Sequence, residues 1–141
     1  MSLLLGVALP TLAADGFLKA KPKGDGLLPV DQAFQFEGVS REPKALVLRW
    51  SMAPGYYLYR HQLKVSADSP ATLKLPALEL PQGEAKDDPE FGPVQTYHGT
   101  LTAKLPIAAG QALPKTLRVR YQGCADIGVC YPPQTKLVAV R

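Results

Sequence analysis

Glycine and proline interrupt this chain at short intervals, and no other feature limits its possible folds as strongly. The sequence holds 12 glycines and 14 prolines in 141 residues, well above the roughly 12% that the two residues reach in average usage. Both residues end helices and interrupt strands. These breaks leave room for short strands but not for long helices. The clearest of them fall at Pro54-Gly55, Ser69-Pro70, Pro81-Gln82-Gly83, Phe91-Gly92-Pro93, Gly110 and Pro132-Pro133.

Between the breaks, apolar and polar residues alternate with the period of two that is typical of half-buried strands. The alternation is cleanest over residues 117–121, where Leu117, Val119 and Tyr121 are separated by arginines. No window of 12 residues shows the apolar spacing of a helix. The sequence therefore predicts an all-β protein with the architecture of an antiparallel β-sandwich. Further strands are predicted over residues 46–50, 57–65, 101–107 and 137–140.

The start of the chain has the character of an export signal. Residues 2–14 form a short apolar run that ends in small residues, like the apolar region and cleavage site of a secretory signal. We therefore expect a signal-peptide remnant over residues 1–14, with a buried N-terminal strand as the alternative. The run is too short to span a bilayer. Residues 15–28, rich in Gly, Lys and Pro, are expected to form a flexible arm, and residues 29–141 a single domain.

The charge pattern excludes some classes of function. The net charge is +4, from 16 basic and 12 acidic residues, which is ordinary for a protein in solution. No run of lysine and arginine is long enough for a nucleic-acid patch. The sequence also lacks the G-x-S-x-G, H-E-x-x-H and P-loop motifs of common hydrolases. Nucleic acid is therefore not an expected partner, and hydrolysis is not an expected activity.

The segment G-C-A-D-I-G-V-C-Y-P-P, residues 123–133, carries both cysteines of the chain. The segment is hairpin-like, so the sulfurs of Cys124 and Cys130 can meet across its base. A closed loop of about 7 residues contributes only about 2.4 kcal/mol in the chain-entropy model. A bridge that contributes so little can open without unfolding its host, as a redox carrier requires. A purely structural disulfide is the alternative at this point.

Metal binding is a third interpretation of the cysteines. Cys-x5-Cys lacks the two-residue spacing of thiolate clusters, and neither His61 nor His98 is near it in sequence. A copper or zinc carrier would need the two thiols to bind metal together with His98 or Met52. The sequence favours the two disulfide interpretations over this one.

Four segments of the chain, in the same order, resemble the N-terminal periplasmic domain of the thiol:disulfide interchange protein DsbD. The cysteine segment is the most specific of the four, and the resemblance runs from about Pro29 to the end of the chain. The segments are P-V-D-Q-A-F (residues 29–34), G-Y-Y-L-Y-R (55–60), L-P-Q-G (80–83) and Y-Q-G-C-A-D-I-G-V-C-Y-P-P-Q-T-K (121–136).

The resemblance implies an immunoglobulin-like β-sandwich that acts as a protein-disulfide reductase in the periplasm. It implies no cofactor other than a redox-active disulfide between Cys124 and Cys130, and no metal. In that family the domain accepts two electrons from the thioredoxin-like C-terminal domain of the same membrane-embedded protein. It passes them to periplasmic proteins such as DsbC, DsbG and CcmG, with roles in disulfide isomerisation and cytochrome c biogenesis. Cys130 would form the mixed disulfide with the partner, and Cys124 would resolve it.

The resemblance also implies a set of residues around the cysteine pair. Phe91, in D-D-P-E-F-G-P (residues 87–93), would cap the disulfide, although alignment on Gly92 leaves it one place from the family's phenylalanine. Tyr57 and Tyr59, which alternate onto one face of their strand, would lie beside the cysteines. Three acidic residues near these segments would disfavour a thiolate and so make the isolated domain poorly reactive; they are Asp88, Glu90 and Asp126.

Each of these roles has a plainer structural explanation. The phenylalanine can simply pack a loop onto the sandwich, the tyrosines can be ordinary core aromatics, and the acids can be solvated surface groups. For the whole chain, the alternative is an exported immunoglobulin-like binding module with an inert disulfide, because fold alone does not decide function. The family protein continues into membrane helices and a C-terminal thioredoxin-like domain. We therefore expect the chain to be a soluble domain of such a protein, or to draw electrons from a separate chain.

Overall fold

The computed structural model describes residues 26–141 of the chain. The signal remnant predicted over residues 1–14 and most of the arm predicted over residues 15–28 lie outside this range. Within it, one α-helical turn precedes eleven strands, and one 3-10 turn, Arg60–Gln62, interrupts them. The elements are α1 (Val30–Ala33), β1 (Phe34–Glu42), β2 (Ala45–Met52), β3 (Tyr56–Tyr59), β4 (Lys64–Ser69), β5 (Glu84–Asp88), β6 (Gly92–Tyr97), β7 (Thr100–Pro106), β8 (Thr116–Tyr121), β9 (Gly123–Ala125), β10 (Val129–Cys130) and β11 (Gln134–Ala139).

The strands form three sheets in which all neighbours are antiparallel. Their orders are β1-β2-β7, β11-β8-β4 and β10-β9-β3-β6-β5. The second and third sheets are connected because two strands of one sheet continue along the chain into two strands of the other. Strand β8 continues into β9 after Gln122, and β3 continues into β4 after the 3-10 turn. The backbone N–H of Tyr59 donates to the carbonyl of Gln122 at 3.0 Å, which holds the two pairs together at the junction.

The main hydrophobic core draws on all three sheets. Its largest fully buried side chains include Trp50 of β2, Tyr121 of β8 and Phe34 of β1. Trp50 meets the ring of Tyr121 edge-on, with 5.9 Å between ring centroids. On β3, Tyr56 and Leu58 belong to this core, whereas Tyr57 and Tyr59 lie in a second, smaller buried cluster with Cys124. Alternation along β3 therefore sends two tyrosines away from the main core and onto the cysteine.

The antiparallel, immunoglobulin-like β-sandwich expected from the sequence is confirmed. The predicted strands at residues 46–50, 101–107, 117–121 and 137–140 correspond to β2, β7, β8 and β11. The stretch predicted over residues 57–65 divides into β3 and β4, which enter different sheets. Strands β5 and β6 were not predicted, because one is polar and the other begins at Gly92-Pro93. Among residues 26–141, no helix is long and apolar enough to cross a bilayer.

Candidate functional site

The two cysteines form a disulfide across the β9–β10 hairpin. Cys124 and Cys130 are direct partners in the register of the two strands, their Cα atoms are 3.9 Å apart and their sulfurs 2.09 Å apart. The hairpin turns through Gly128, whose φ of 100° is one that other residues rarely adopt. Cys124 is fully buried, whereas Cys130 is exposed at the edge of the sheet. The two halves of the disulfide thus differ sharply in their access to solvent.

Gly123 allows the hairpin to lie this close to β3. A Cβ atom at Gly123 would overlap the ring of Phe34 and the carbonyl oxygen of Tyr57. Because this side chain is absent, β9 pairs with β3 so that Cys124 lies opposite Tyr57. Gly123 therefore has a packing role: it brings the buried sulfur of Cys124 onto the face of β3 that carries Tyr57 and Tyr59, the tyrosine face.

Tyr59 connects the disulfide to a buried carboxylate. Its hydroxyl donates to Oδ2 of Asp88 at 2.5 Å, and the same oxygen lies 3.2 Å from Sγ of Cys124 and 3.7 Å from Sγ of Cys130. Asp88 is only 8% exposed. Burial, followed by the hydrogen bond to Asp88, raises the pKa of Tyr59 far above its usual value. The hydrogen bond from Tyr59 is the main reason that the pKa of Asp88 is lowered.

This network fixes where the protons lie around the sulfurs. A disulfide carries no proton, and the one hydroxyl proton of Tyr59 is held by Asp88. After reduction, a Cys124 thiol could donate to the remaining lone pair of the Tyr59 oxygen, whereas a Cys124 thiolate would find no free donor there. The negative charge of Asp88 acts in the same direction. The arrangement therefore favours the protonated thiol over the thiolate.

The segment that follows β5 is fixed to the same carboxylate. Oδ1 of Asp88 accepts the backbone N–H groups of Glu90 at 2.8 Å and Phe91 at 3.1 Å. The ring of Phe91, 38% exposed, packs edge-on against Tyr59 and His61, with centroid distances of 5.3 and 4.7 Å. Phe91 therefore covers Tyr59, the residue that contacts both sulfurs. The side chain of Glu90 is exposed, and only its backbone joins the network.

Tyr57 lies at the other end of the tyrosine face and has charged neighbours. Nζ of Lys86 sits 5.3 Å from the centre of its ring, and the ring of His98 lies 5.5 Å away. Nε2 of His98 is 2.9 Å from Oδ1 of Asp126, and its Nδ1 is 3.5 Å from Glu84. Of the predicted site residues, Tyr59 thus contacts both sulfurs and Asp88 binds Tyr59, whereas Asp126 pairs with His98.

Sequence reasoning missed the contact between His61 and the rest of the site. The 3-10 turn at Arg60–Gln62 breaks the alternation after β3, so no periodic pattern could place His61 beside Phe91. A groove of about 770 Å³ opens on this side of the domain; its lining includes Arg60, His61 and Phe91. Of the residues considered for a metal carrier, Met52 belongs to the main core and Cys124 to the second cluster, and His98 pairs with Asp126 and Glu84. Within residues 26–141, no group of three or more His, Cys, Asp or Glu side chains could hold a metal ion.

Comparison of the sequence with known families gives one match over most of the chain. The family model described as "Thiol:disulfide interchange protein DsbD, N-terminal" matches residues 24–141. The chain is 38% identical to thiol:disulfide interchange protein DsbD 1 of Pseudomonas aeruginosa over 95% of its own length and 24% of the relative's. It is 42% identical to DsbD of Pectobacterium atrosepticum, over 94% of the chain and 22% of that relative. The chain therefore spans only a part of these relatives.

Two solved structures from Neisseria meningitidis share the fold. The DsbD N-terminal domain in its reduced form matches with a TM-score of 0.70 and 33% identity, over 81% of this chain and 89% of that one. A complex between the DsbD N-terminal and PilB N-terminal domains matches with a TM-score of 0.68 and 31% identity, over 84% and 90% of the two chains. In these comparisons, sequence and fold point to the same group of proteins.

Proposed function

The chain belongs to the family of DsbD N-terminal domains, and from that membership we propose that it carries out thiol–disulfide exchange in the periplasm. The observation that carries the proposal is the asymmetric Cys124–Cys130 disulfide, with one exposed and one buried cysteine, in contact with Tyr59. Exchange requires in-line attack on one accessible sulfur and a second sulfur that can leave. We assign these two roles to Cys130 and Cys124.

The first step of the proposed cycle is attack by a thiolate of the donor on Sγ of Cys130. A bond forms between the two proteins, and the Cys124–Cys130 bond breaks. Cys124 leaves with the electron pair and takes up a proton, and its thiol then donates to the Tyr59 oxygen 3.2 Å away. The second thiolate of the donor then attacks the donor's own sulfur in the mixed disulfide and releases Cys130. Two electrons and two protons have then moved from a dithiol donor to this chain.

The second half of the cycle reverses these events with an oxidised acceptor. Cys130, as thiolate, attacks the acceptor's disulfide, and one acceptor sulfur leaves as a thiol after protonation. Cys124 then loses its proton and attacks Cys130, which restores the intramolecular disulfide and releases the reduced acceptor. Because the network around Tyr59 favours the protonated form of Cys124, we expect this domain to react slowly until a partner docks and changes the site.

We propose a thioredoxin-like donor domain and thioredoxin-fold acceptors, by analogy with the family. The donor would be the C-terminal domain of a DsbD protein, and the acceptors would be DsbC-, DsbG- and CcmG-like proteins of the periplasm. The Neisseria relative, which is described in complex with a PilB N-terminal domain, supports the view that such domains bind other proteins. In this proposal residues 29–141 are the redox domain of a larger, membrane-embedded protein.

Phe91 is proposed to regulate access to the redox pair. Its ring packs on Tyr59, and its backbone is fastened to Asp88. A partner that displaces this ring would uncover Tyr59, which contacts both sulfurs, and stray thiols would not gain the same access. Glu90, which shares the bond to Asp88, would move with Phe91. Tyr57 and Asp126 would have a supporting part, since their contacts hold the far end of the tyrosine face.

Trapping of the mixed disulfide tests both the function and the two cysteine roles. The Cys124→Ala variant, with Cys130 activated, is mixed with a reduced thioredoxin-like donor domain whose second cysteine is replaced by alanine, and the products are separated without reductant. The proposal predicts a stable covalent complex through Cys130. The matched Cys130→Ala variant leaves only the buried Cys124 and should form little complex. Equal trapping by both variants would contradict the assigned roles, and no trapping by either would contradict exchange with such partners.

A further inference from the structure

Strand β10, which carries Cys130, lies at the outer edge of its sheet. Within residues 26–141, β9 is its only neighbour, and the sheet order β10-β9-β3-β6-β5 ends there. An edge strand has one row of backbone N–H and C=O groups that point away from the sheet and can pair with another chain. Which residue contributes such groups depends on the phase of the hydrogen bonds in the hairpin.

The hydrogen-bond phase places the backbone groups of Cys130 on the free side. In an antiparallel pair, residues that exchange hydrogen bonds alternate with residues that do not. The N–H of Tyr131 donates to Gly123 at 3.0 Å, so the next pair, Cys130 with Cys124, is the kind that does not exchange hydrogen bonds. The N–H and C=O of Cys130 therefore point away from β9.

The other side of β9 has the complementary phase. The N–H of Tyr59 donates to Gln122, and the N–H of Asp126 donates to Gly55. This places Tyr57 and Cys124 in a hydrogen-bonded pair, so the backbone of Cys124 faces inward. The buried cysteine is thus bonded into the sheet through its backbone, whereas the exposed cysteine offers its backbone outward.

The surroundings of this edge are suited to contact with a protein. Val129 is 37% exposed and Ile127, at the hairpin loop, is 70% exposed. Both are large apolar side chains, and they lie within three positions of the exposed Cys130. Exposed apolar residues beside an unpaired strand edge are a recurring feature of sites that bind an extended peptide.

We propose that the free edge of β10 is a strand-addition site for the redox partner. An extended segment beside the partner's reactive cysteine would pair with the N–H and C=O of Cys130 while the sulfur of Cys130 forms the mixed disulfide. This inference rests on the proposed function. It explains how one domain can serve several partners, because backbone pairing does not depend on the partner's side chains. A partner aligned in this way has its own sulfur close to that of Cys130.

Hydrogen exchange measured by NMR tests the pairing directly. The Cys124→Ala chain is joined through Cys130 either to the thioredoxin-like donor domain, with the donor's second cysteine replaced by alanine, or to glutathione. We expect the exchange rate of the Cys130 amide to be lower by about ten-fold or more in the protein complex than in the glutathione adduct, because a gained hydrogen bond protects the amide. The matched control is the Tyr131 amide, which is already bonded to Gly123 and should exchange alike in both. An unchanged Cys130 amide would overturn the proposal.

A backbone variant provides the second test. Residue 124 is a cysteine, so a synthetic peptide of residues 124–141 can be ligated to residues 1–123 at that position. The test chain carries N-methyl-Cys130 in this peptide, and the control chain carries N-methyl-Arg141 instead. We expect exchange with the donor domain to slow about ten-fold for the loss of one hydrogen bond, while reduction by dithiothreitol stays the same. If N-methyl-Cys130 slows reduction by the donor domain and by dithiothreitol equally, or slows neither reaction, strand addition is overturned. No exchange with the donor, even by the unmethylated ligated chain, would overturn the proposed function and this inference with it.

Discussion

The hydroxyl of Tyr59 donates its proton to the buried carboxylate of Asp88 at 2.5 Å. Through this bond, the segment carrying Phe91 and the disulfide become parts of one unit. Asp88 also accepts the backbone N–H of Phe91, and the Tyr59 oxygen touches both sulfurs. A movement of the Phe91 segment would therefore change the hydrogen bonding next to Cys124. Each of these contacts can be tested by a single substitution.

Removal of the Tyr59 hydroxyl should destabilise the domain. Tyr59→Phe leaves the buried Asp88 carboxylate without its side-chain donor, and the loss of a hydrogen bond to a charged group costs about 2 kcal/mol. Urea unfolding of the oxidised chain measures this change. Tyr121→Phe is the matched control, because within residues 26–141 the buried Tyr121 hydroxyl has no hydrogen-bond partner. Tyr121→Phe should be as stable as the parent chain or slightly more stable. Equal losses of unfolding free energy in Tyr59→Phe and Tyr121→Phe would contradict a stabilising role for the hydrogen bond between Tyr59 and Asp88.

The contribution of Asp88 to stability should depend on pH with a defined sign. Its pKa is lowered in the folded state, so its stabilising contribution is present above the unfolded value of about 3.9 and is lost as pH falls through the folded pKa. Asp88→Asn should therefore lower the free energy of unfolding most near neutral pH, and its difference from the parent chain should narrow below pH of about 4.

Unfolding measured at several pH values, with Asp87→Asn as control, checks this prediction. Asp87 is the exposed neighbour of Asp88 on β5, so its substitution should leave the pH profile nearly unchanged. A difference between Asp88→Asn and the parent chain that stays constant from neutral to acidic pH would show that the charge of Asp88 is not what stabilises the fold.

Shortening of Phe91 should uncover Tyr59 and make the disulfide easier to reduce without unfolding the domain. In Phe91→Ala we expect faster reduction by dithiothreitol, because the ring that covers Tyr59 is gone. The free energy of unfolding should fall by no more than about 1 kcal/mol, since the side chain is 38% exposed. Leu137→Ala is the control: Leu137 is 58% exposed and lies on β11, in another sheet. An unchanged reduction rate in Phe91→Ala would contradict the capping role.

A side chain at position 123 should disrupt the site. The Cβ of Gly123→Ala would overlap both Phe34 and the backbone of Tyr57, and forced overpacking of a core costs about 1–3 kcal/mol or more. We expect a clear drop in the melting temperature, together with faster reduction of the disulfide as β9 moves away from β3. A variant with the stability and reduction rate of the parent chain would show that this close approach is not needed.

The parts of the fold that follow a simple period could be predicted from the sequence. Strands β7 and β8 each bury alternate residues, and that pattern is visible in the residue types. Strand β5, E-A-K-D-D, was not predicted because four of its five residues are charged. It is formed by pairing with β6 at the edge of the sheet, and no local pattern encodes that partner.

For the site as well, the sequence pattern does not reveal contacts between residues that are far apart in the chain. The shared face of Tyr57 and Tyr59 follows from alternation, but the placement of Asp88 against Tyr59 joins residues that are 29 positions apart. The role expected of Asp88 came from its place in the segment that carries Phe91, and the one expected of Asp126 came from its place between the cysteines, although Asp126 lies with His98 instead. Spacing could not separate these two acids, because their surroundings depend on which strands are neighbours.

The reduction potential of the Cys124–Cys130 pair tests the central claim most directly. The oxidised chain is equilibrated with glutathione or dithiothreitol buffers, the thiols are alkylated, and folding of the reduced form is followed by circular dichroism. Our account predicts a potential between about −120 and −270 mV, the range of exchange proteins, with the domain still folded after reduction. A potential below about −300 mV, or unfolding on reduction, would mark the bond as structural. That result would contradict electron transfer and favour an immunoglobulin-like binding module with an inert disulfide.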